Sequence, residues 1–252
     1  MSATYDTFAQ LYDADFADYF DDMRFYSELL RRTGGPALEL MCGTGRVLLP
    51  LAEEGYQVTG VDISADMLQL AQHKVDQAGL GDQVTLLQGD ICRSPLPGGF
   101  MLVFVAVNSF MHLETVAEQL AALTNIRGSL QRNGLLVLDL FNPNLQELLH
   151  NDGRLVLAHS FELDGDQIHK FVATDTDLAT QTNYVTFFYD RLNQAGQLTR
   201  RALPFTLRWL FRYELEHLLA RAGYELEAIF GSYELDEYGS SSERMIAVAH
   251  VR

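Results

Sequence analysis

Glu39, Asp62 and Asp90 are carboxylates spaced along the chain, with the glycine turn Gly43-Thr44-Gly45 between the first two. A glycine turn after a strand lets backbone come close to a ligand, and the helix start that follows presents amides to an anion. In "ALELMCGTGRVLLPLAEEGYQVTGVDIS" the turn follows a short apolar run and precedes a helical one, so the first half of a nucleotide-binding unit is present. A dinucleotide fingerprint wants a third small residue three positions further on, and that position holds Leu48. Glu39 precedes the turn and aims a carboxylate at the same crevice, where it would repel a pyrophosphate and attract a cation.

A ligand with a sulfonium, an ammonium and a short carboxylate but no phosphate meets these demands, and S-adenosylmethionine is such a ligand. Asp62 closes the second strand, where an acid can accept both hydroxyls of a ribose, which suits either kind of nucleotide. Asp90, in "LQGDI", follows the third strand, where its carboxylate can accept an adenine amine with Met67 and Ile91 on the two faces of the purine. Each acid also has an ordinary use. Glu39 can pair with Arg46 or Arg127, Asp62 can cap the helix that Ser64 opens, and Asp90 can simply make a turn.

The elements that must position these residues alternate. Apolar runs at 37–41, 57–61, 84–88, 100–107 and 135–141 are separated by helical stretches at 46–54, 64–78 and 114–130, which predicts five parallel strands with crossover helices. "FMLVFVAV" and "GLLVLDLF" are apolar without alternation, as strands covered on both faces must be. Before them, residues 5–30 carry aromatic and aliphatic residues at helical spacing, broken near 13–18 and stopped by Thr33-Gly34-Gly35-Pro36. After Pro143 the pattern turns to alternating strands with a hairpin loop at "NQAGQ", and the chain closes with a helix at 212–222 and two strands able to pair. The expected division is an N-terminal helical lid at 1–35, a cofactor domain at 36–150 and 208–252, and an inserted antiparallel excursion at 151–207.

The chain has 252 residues, 48% of them hydrophobic, and a formal charge of −16. That charge opposes a phosphate backbone, and no basic cluster is longer than Arg31–Arg32 or Arg200–Arg201, so nucleic acid is not the expected partner. No apolar run approaches membrane-spanning length, and the opening residues do not form a secretory leader. Cys42 and Cys92 lack the number and spacing of a disulfide framework. A cytoplasmic protein, monomer or homodimer, is expected.

"LELMCGTGRVLLPLAEEGYQVTGVDIS", "LLQGDI", "FMLVFVAVNSFMHL" and "LQRNGLLVLDLFNP" together resemble the class I S-adenosylmethionine-dependent methyltransferases. The resemblance covers residues 5–141 and the last helix and two strands, and is strongest at 37–91. It implies an α/β, Rossmann-like doubly wound sheet of seven strands whose last strand is antiparallel. It implies cofactor contacts at Glu39, Gly43, Gly45, Asp62, Asp90 and Ile91, with Asn108 beside the methionine moiety and the N-terminal helices closing over it. Met41, Ile63 and Met67 complete the candidate cofactor set. "YDTFAQLYD" is similar to the opening segment of small-molecule enzymes of the class, which makes Tyr5 and Tyr12 lid residues, Tyr12 facing the cofactor and Tyr5 the substrate. The excursion departs from the shared pattern.

Methyl transfer from a sulfonium is an in-line displacement that needs alignment and exclusion of water, and neither a metal nor a covalent intermediate. The expected partner is a small-molecule acceptor at nitrogen or oxygen. His112, just past the fourth strand, either takes the acceptor's proton or packs beneath the next helix. The remaining histidines show no paired ligand spacing, so no metal is expected. Tyr189, Arg208 and Trp209 are candidates to wall the acceptor pocket, with ordinary sheet packing as the alternative for each. Two other readings are a cofactor-binding regulatory domain without turnover and a methyltransferase of tRNA or protein.

Overall fold

The computed structural model describes residues 8–252. The N-terminal helical stretch divides into α1 (Ala9–Asp15) and α2 (Met23–Thr33), and α2 ends at Gly34 with φ of +82°, a conformation glycine adopts without penalty. The chain then alternates through β1 (Ala37–Leu40), α3 (Leu48–Glu53), β2 (Val58–Asp62), α4 (Ala65–Ala78), β3 (Val84–Gln88) and β4 (Phe100–Val105). A 3₁₀ turn (Ser109–His112), α5 (Val116–Ser129), β5 (Leu130–Phe141) and α6 (Leu145–Asn151) follow. After an inserted sheet, α7 (Arg212–Arg221), β10 (Tyr224–Phe230) and β11 (Arg244–Val251) finish the fold.

Seven strands form one sheet in the order β10-β11-β5-β4-β1-β2-β3. All run parallel except β11, which is antiparallel to both neighbours. Because helices cover both faces, the central strands bury successive residues on opposite sides. Val103 and Val105 pack with Leu136, Leu138, Leu215 and Leu219. Leu102 and Phe104 pack with Tyr26, Leu30, Leu51 and Val137 on the other side. α4 begins at Ser64, whose side chain accepts the Met67 amide at 3.2 Å, so the predicted cap is formed.

Leu48, the bulky residue in place of the third small one, is fully buried. Its packing is made possible by β2: a Cβ on Gly60 would stand 2.7 Å from Leu48 Cδ2 and 2.8 Å from Cys42 Sγ. The close approach of helix to sheet is supplied by a glycine on the strand instead of one on the helix.

The excursion is a four-stranded antiparallel meander, β6 (Arg154–Leu163), β7 (Asp166–Asp177), β8 (Thr182–Leu192) and β9 (Leu198–Arg208). Asn193 makes the β8–β9 loop, its side chain accepting the amides of Ala195 and Gln197 at 3.0 and 2.9 Å. One face of this sheet packs Ile168, Tyr189 and Leu203 against Phe8 and Leu11 beside and within α1. The contact is locked by charge, since Asp15 accepts from Lys170, from Tyr189 Oη at 3.1 Å and pairs with His159 Nδ1 at 2.9 Å.

Candidate functional site

A cleft of about 420 Å³ opens over the C-terminal ends of β1, β2 and β4, where open parallel sheets form their sites. The ends of β1, β2 and β4, the turns that follow them and α4 contribute Met41, Gly43, Asp62, Ile63, Ser64, Met67, Val107 and Asn108. α1 and the residue after it contribute Tyr12 and Phe16, and the 3₁₀ turn contributes Ser109 and His112. Glu114 stands at the rim, and Phe187 of β8 with Pro204 to Leu207 of β9 form the far wall. Among the described lining residues there is no lysine or arginine.

The structure therefore brings Tyr12, Met41, Gly43, Asp62, Ile63, Met67, Asn108 and His112 of the predicted set to one cleft. Asp62 stiffens the turn: its Oδ2 accepts the Gly43 amide at 2.8 Å and its Oδ1 accepts the Ser64 amide at 2.9 Å. Glu39 lies beneath the turn, buried, and neither expected partner reaches it. Arg46 is taken by Asp22 through bonds of 2.7 and 2.6 Å and by the Tyr19 carbonyl, while Arg127 reaches the Ala222 carbonyl at 3.4 Å. Glu39 Oε2 has no hydrogen-bond partner. Burial pushes the Glu39 carboxyl up to about 8, with Arg46 opposing and Asp22 adding. Burial likewise pushes the Tyr12 phenol up to about 12, so it remains a neutral donor.

His112 faces the cleft between Glu114 and the β9 wall, with its ring 5.4 Å from that of Phe205. Burial lowers its pKa to about 4, against a hydrogen bond to the Thr206 backbone that favours the protonated ring. The imidazole is neutral near pH 7.

Other expected residues lie elsewhere. Gly45 does not line the cleft; its φ of +81° serves the turn. Asp90 is a turn residue here, accepting the Cys92 amide at 2.8 Å, and Ile91 is buried in the core below. Trp209 follows the end of β9 and turns into the core, 1% exposed and edge-on to Phe211, so it is not an acceptor wall. Arg208 pairs with Glu214 at 3.0 Å, and Tyr189 gives its hydroxyl to Asp15. Tyr5 lies outside the described residues. The aromatic wall exists but is built from Phe16, Phe187 and Phe205. Phe187 shares a strand face with Tyr189, and period-two alternation marks the face without marking how far along the strand the cleft lies. Val107, Ser109 and Glu114 had no signal beyond their place after β4.

A model of a methyltransferase domain matches residues 37–134. An uncharacterized methyltransferase of Geobacillus thermodenitrificans (strain NG80-2) is 30% identical over 67% of this chain and 67% of its own. The cypemycin N-terminal methyltransferase of a Streptomyces species is 27% identical over 85% of this chain and 82% of its own. The solved structure of the CcbJ methyltransferase from Streptomyces caelestis superposes with a TM-score of 0.79 at 27% identity, covering 95% of this chain and 96% of that one. With the turn, the acid at the end of β2, the sheet order and these likenesses in agreement, the chain belongs to the S-adenosylmethionine-dependent methyltransferases.

Proposed function

We propose that the protein transfers the methyl group of S-adenosylmethionine to an amine nitrogen of a small-molecule acceptor. The observation that carries this reading is the charge of the cleft: Asp62 and Glu114 line it, and no cation lines it among the described residues. Such a site favours cationic or neutral molecules over carboxylates and phosphates. The name of the cypemycin N-terminal methyltransferase, a relative over most of this chain, points toward nitrogen.

The residues present fit the cofactor. The buried Oε2 of Glu39 has no partner, and a cation in the crevice above would favour its ionised form, reversing the effect of burial. In this reading Asp62 accepts ribose hydroxyls, the turn at Gly43 holds the amino acid portion with Asn108 across from it, and Met67 and Ile63 cover the base. When bound, the cofactor supplies a methyl group on a cationic sulphur. The protein's own work is to align the acceptor and keep water out, and Phe16, Phe187 and Phe205 suit both tasks. His112 accepts a hydrogen bond from the acceptor and orients its lone pair. With a pKa of about 4 it does not keep a proton at neutral pH, so the proton lost after transfer goes on to solvent.

Calorimetry with S-adenosylhomocysteine tests the cofactor half, with Asp62→Ala expected to weaken binding about tenfold or more through two lost charge-assisted hydrogen bonds. Wild-type protein that ignores this compound and binds a dinucleotide diphosphate sinks the reading. Incubation with S-adenosylmethionine and separate panels of amines and carboxylic acids tests the acceptor half. Mass spectrometry should find methylated amines, and methyl esters alone would refute the nitrogen assignment.

A further inference from the structure

Beneath the cleft, outside its lining, Asp139 at the C-terminal end of β5 is fully buried and fully engaged. Its Oδ1 accepts from Arg244 through Nε at 3.0 Å and through Nη2. Its Oδ2 accepts the Val107 amide at 3.0 Å and the Tyr233 hydroxyl at 2.8 Å. Four donors thus fill the four acceptor positions of one carboxylate.

Two of these bonds lead to the cleft by separate routes. Val107 and Asn108 are consecutive left-handed residues with φ of 43° and 64°, and for β-branched Val107 that conformation is strained and persists only where its surroundings hold it. Asp139 holds it twice, through its carboxylate to the Val107 amide and through its carbonyl to the Asn108 amide at 2.8 Å. Asn108 returns the restraint, its Oδ1 accepting the Phe141 amide at 2.6 Å. The 3₁₀ turn that delivers His112 starts at this corner, with Ser109 donating to the Ala106 carbonyl and Met111 to the Asn108 carbonyl. The second route runs upward. Because a carboxylate only accepts, the Tyr233 proton points to Asp139, so at 3.3 Å it is Tyr19 that donates to Tyr233. Tyr19 is edge-on to Phe16, whose ring lines the cleft.

We propose that Asp139 is a positioning residue for methyl transfer, a buried joint that fixes the Val107–Asn108 corner and its 3₁₀ turn below the cleft and, through Tyr233 and Tyr19, the Phe16 side above it. The proposal rests on the function proposed above only for the reaction it serves; the joint itself is tested without turnover. Misplacing site groups by an ångström costs about a hundredfold in rate, so a joint of this kind is felt at a distance.

Asp139→Asn keeps the shape but cannot accept from all four donors. Histidine-ring NMR reads the lower route: in the wild type His112 titrates near 4, and in Asp139→Asn it should move up toward its ordinary value as the turn loosens and water enters. Binding of S-adenosylhomocysteine reads both routes together and should weaken about tenfold. Tyr233→Phe removes one hydroxyl and spares the Val107 bond, so His112 should titrate as in the wild type while binding weakens severalfold and thermal stability changes little. If a folded Asp139→Asn protein keeps both the wild-type titration and the wild-type affinity, Asp139 is only a structural ion-pair residue and the proposal fails. Should that variant not fold, Tyr233→Phe decides alone, and unchanged affinity overturns the joint. Wild-type protein that does not bind S-adenosylhomocysteine overturns the cofactor assignment instead, and the His112 titration then decides the lower route.

Discussion

The two sheets of this protein are held to the cleft in different ways. The seven-stranded sheet presents Met41, Gly43 and Asp62 through one local unit, in which β1, the glycine turn, α3 and β2 follow each other in sequence and Asp62 ties the end back to Gly43. The four-stranded sheet presents Phe187 and Phe205 from strands far along the chain, and its grip on the rest passes through partners distant in sequence. Asp15 gathers His159, Lys170 and Tyr189 from three different strands of it. Local bonding makes the glycine-turn side a frame of sequence neighbours, whereas the aromatic wall is tied to α1 through one buried acid that a single substitution can remove.

Three changes break or sharpen that contrast. Asp15→Ala leaves Lys170 buried without its counter-charge and should cost about 3–5 kcal/mol, as broken buried ion pairs do. Hydrogen exchange should rise in α1 and β6–β9 while β1, β4 and β5 keep their protection. Uniformly faster exchange would show that the two regions open as one.

Acid probes the seam, because His112 sits on the 3₁₀ turn against which β9 packs. Its pKa falls from 6.5 unfolded to about 4 folded, so between those values the unfolded chain binds more protons. Its share of stability is complete above pH 6.5 and is lost as the pH falls toward 4, roughly 3 kcal/mol over the window. Denaturant titrations at several pH values should show that slope, and His112→Gln should flatten it; an unchanged slope in the variant places the acid sensitivity elsewhere.

The smallest effect belongs to the frame. Gly60→Ala places a methyl 2.7 Å from Leu48 and 2.8 Å from Cys42, a typical overpacking cost of about 1–3 kcal/mol. Leu48→Ala in the same chain should absorb the methyl, so the double variant should be more stable than the sum of the single losses predicts. Strict additivity would mean that strand and helix do not share this contact.

How much of the site was legible follows the same division. Asp62, Gly43, Met67 and Asn108 lie next to strand ends that hydrophobic runs reveal, and they reach the cleft. Asp90 shows the limit even there: two residues past β3 it lies outside the lining of the cleft, its carboxylate accepting the Cys92 amide two residues away. Trp209 and Phe205 lie in one stretch, "FTLRWLF", yet the core took the first and the cleft the second.

The sequence by itself determined the parallel alternation, the glycine turn with its acids, the antiparallel excursion and the family resemblance, because each rests on residues close together whose spacing repeats the period of their element. Only the tertiary structure decided which aromatics wall the cleft, that Glu39 Oε2 would stand unpartnered, and that Asp15 and Asp139 would each collect donors from distant segments. Those outcomes depend on where strands end and which side chains meet across the fold, quantities set by packing and not by any pattern local to the chain.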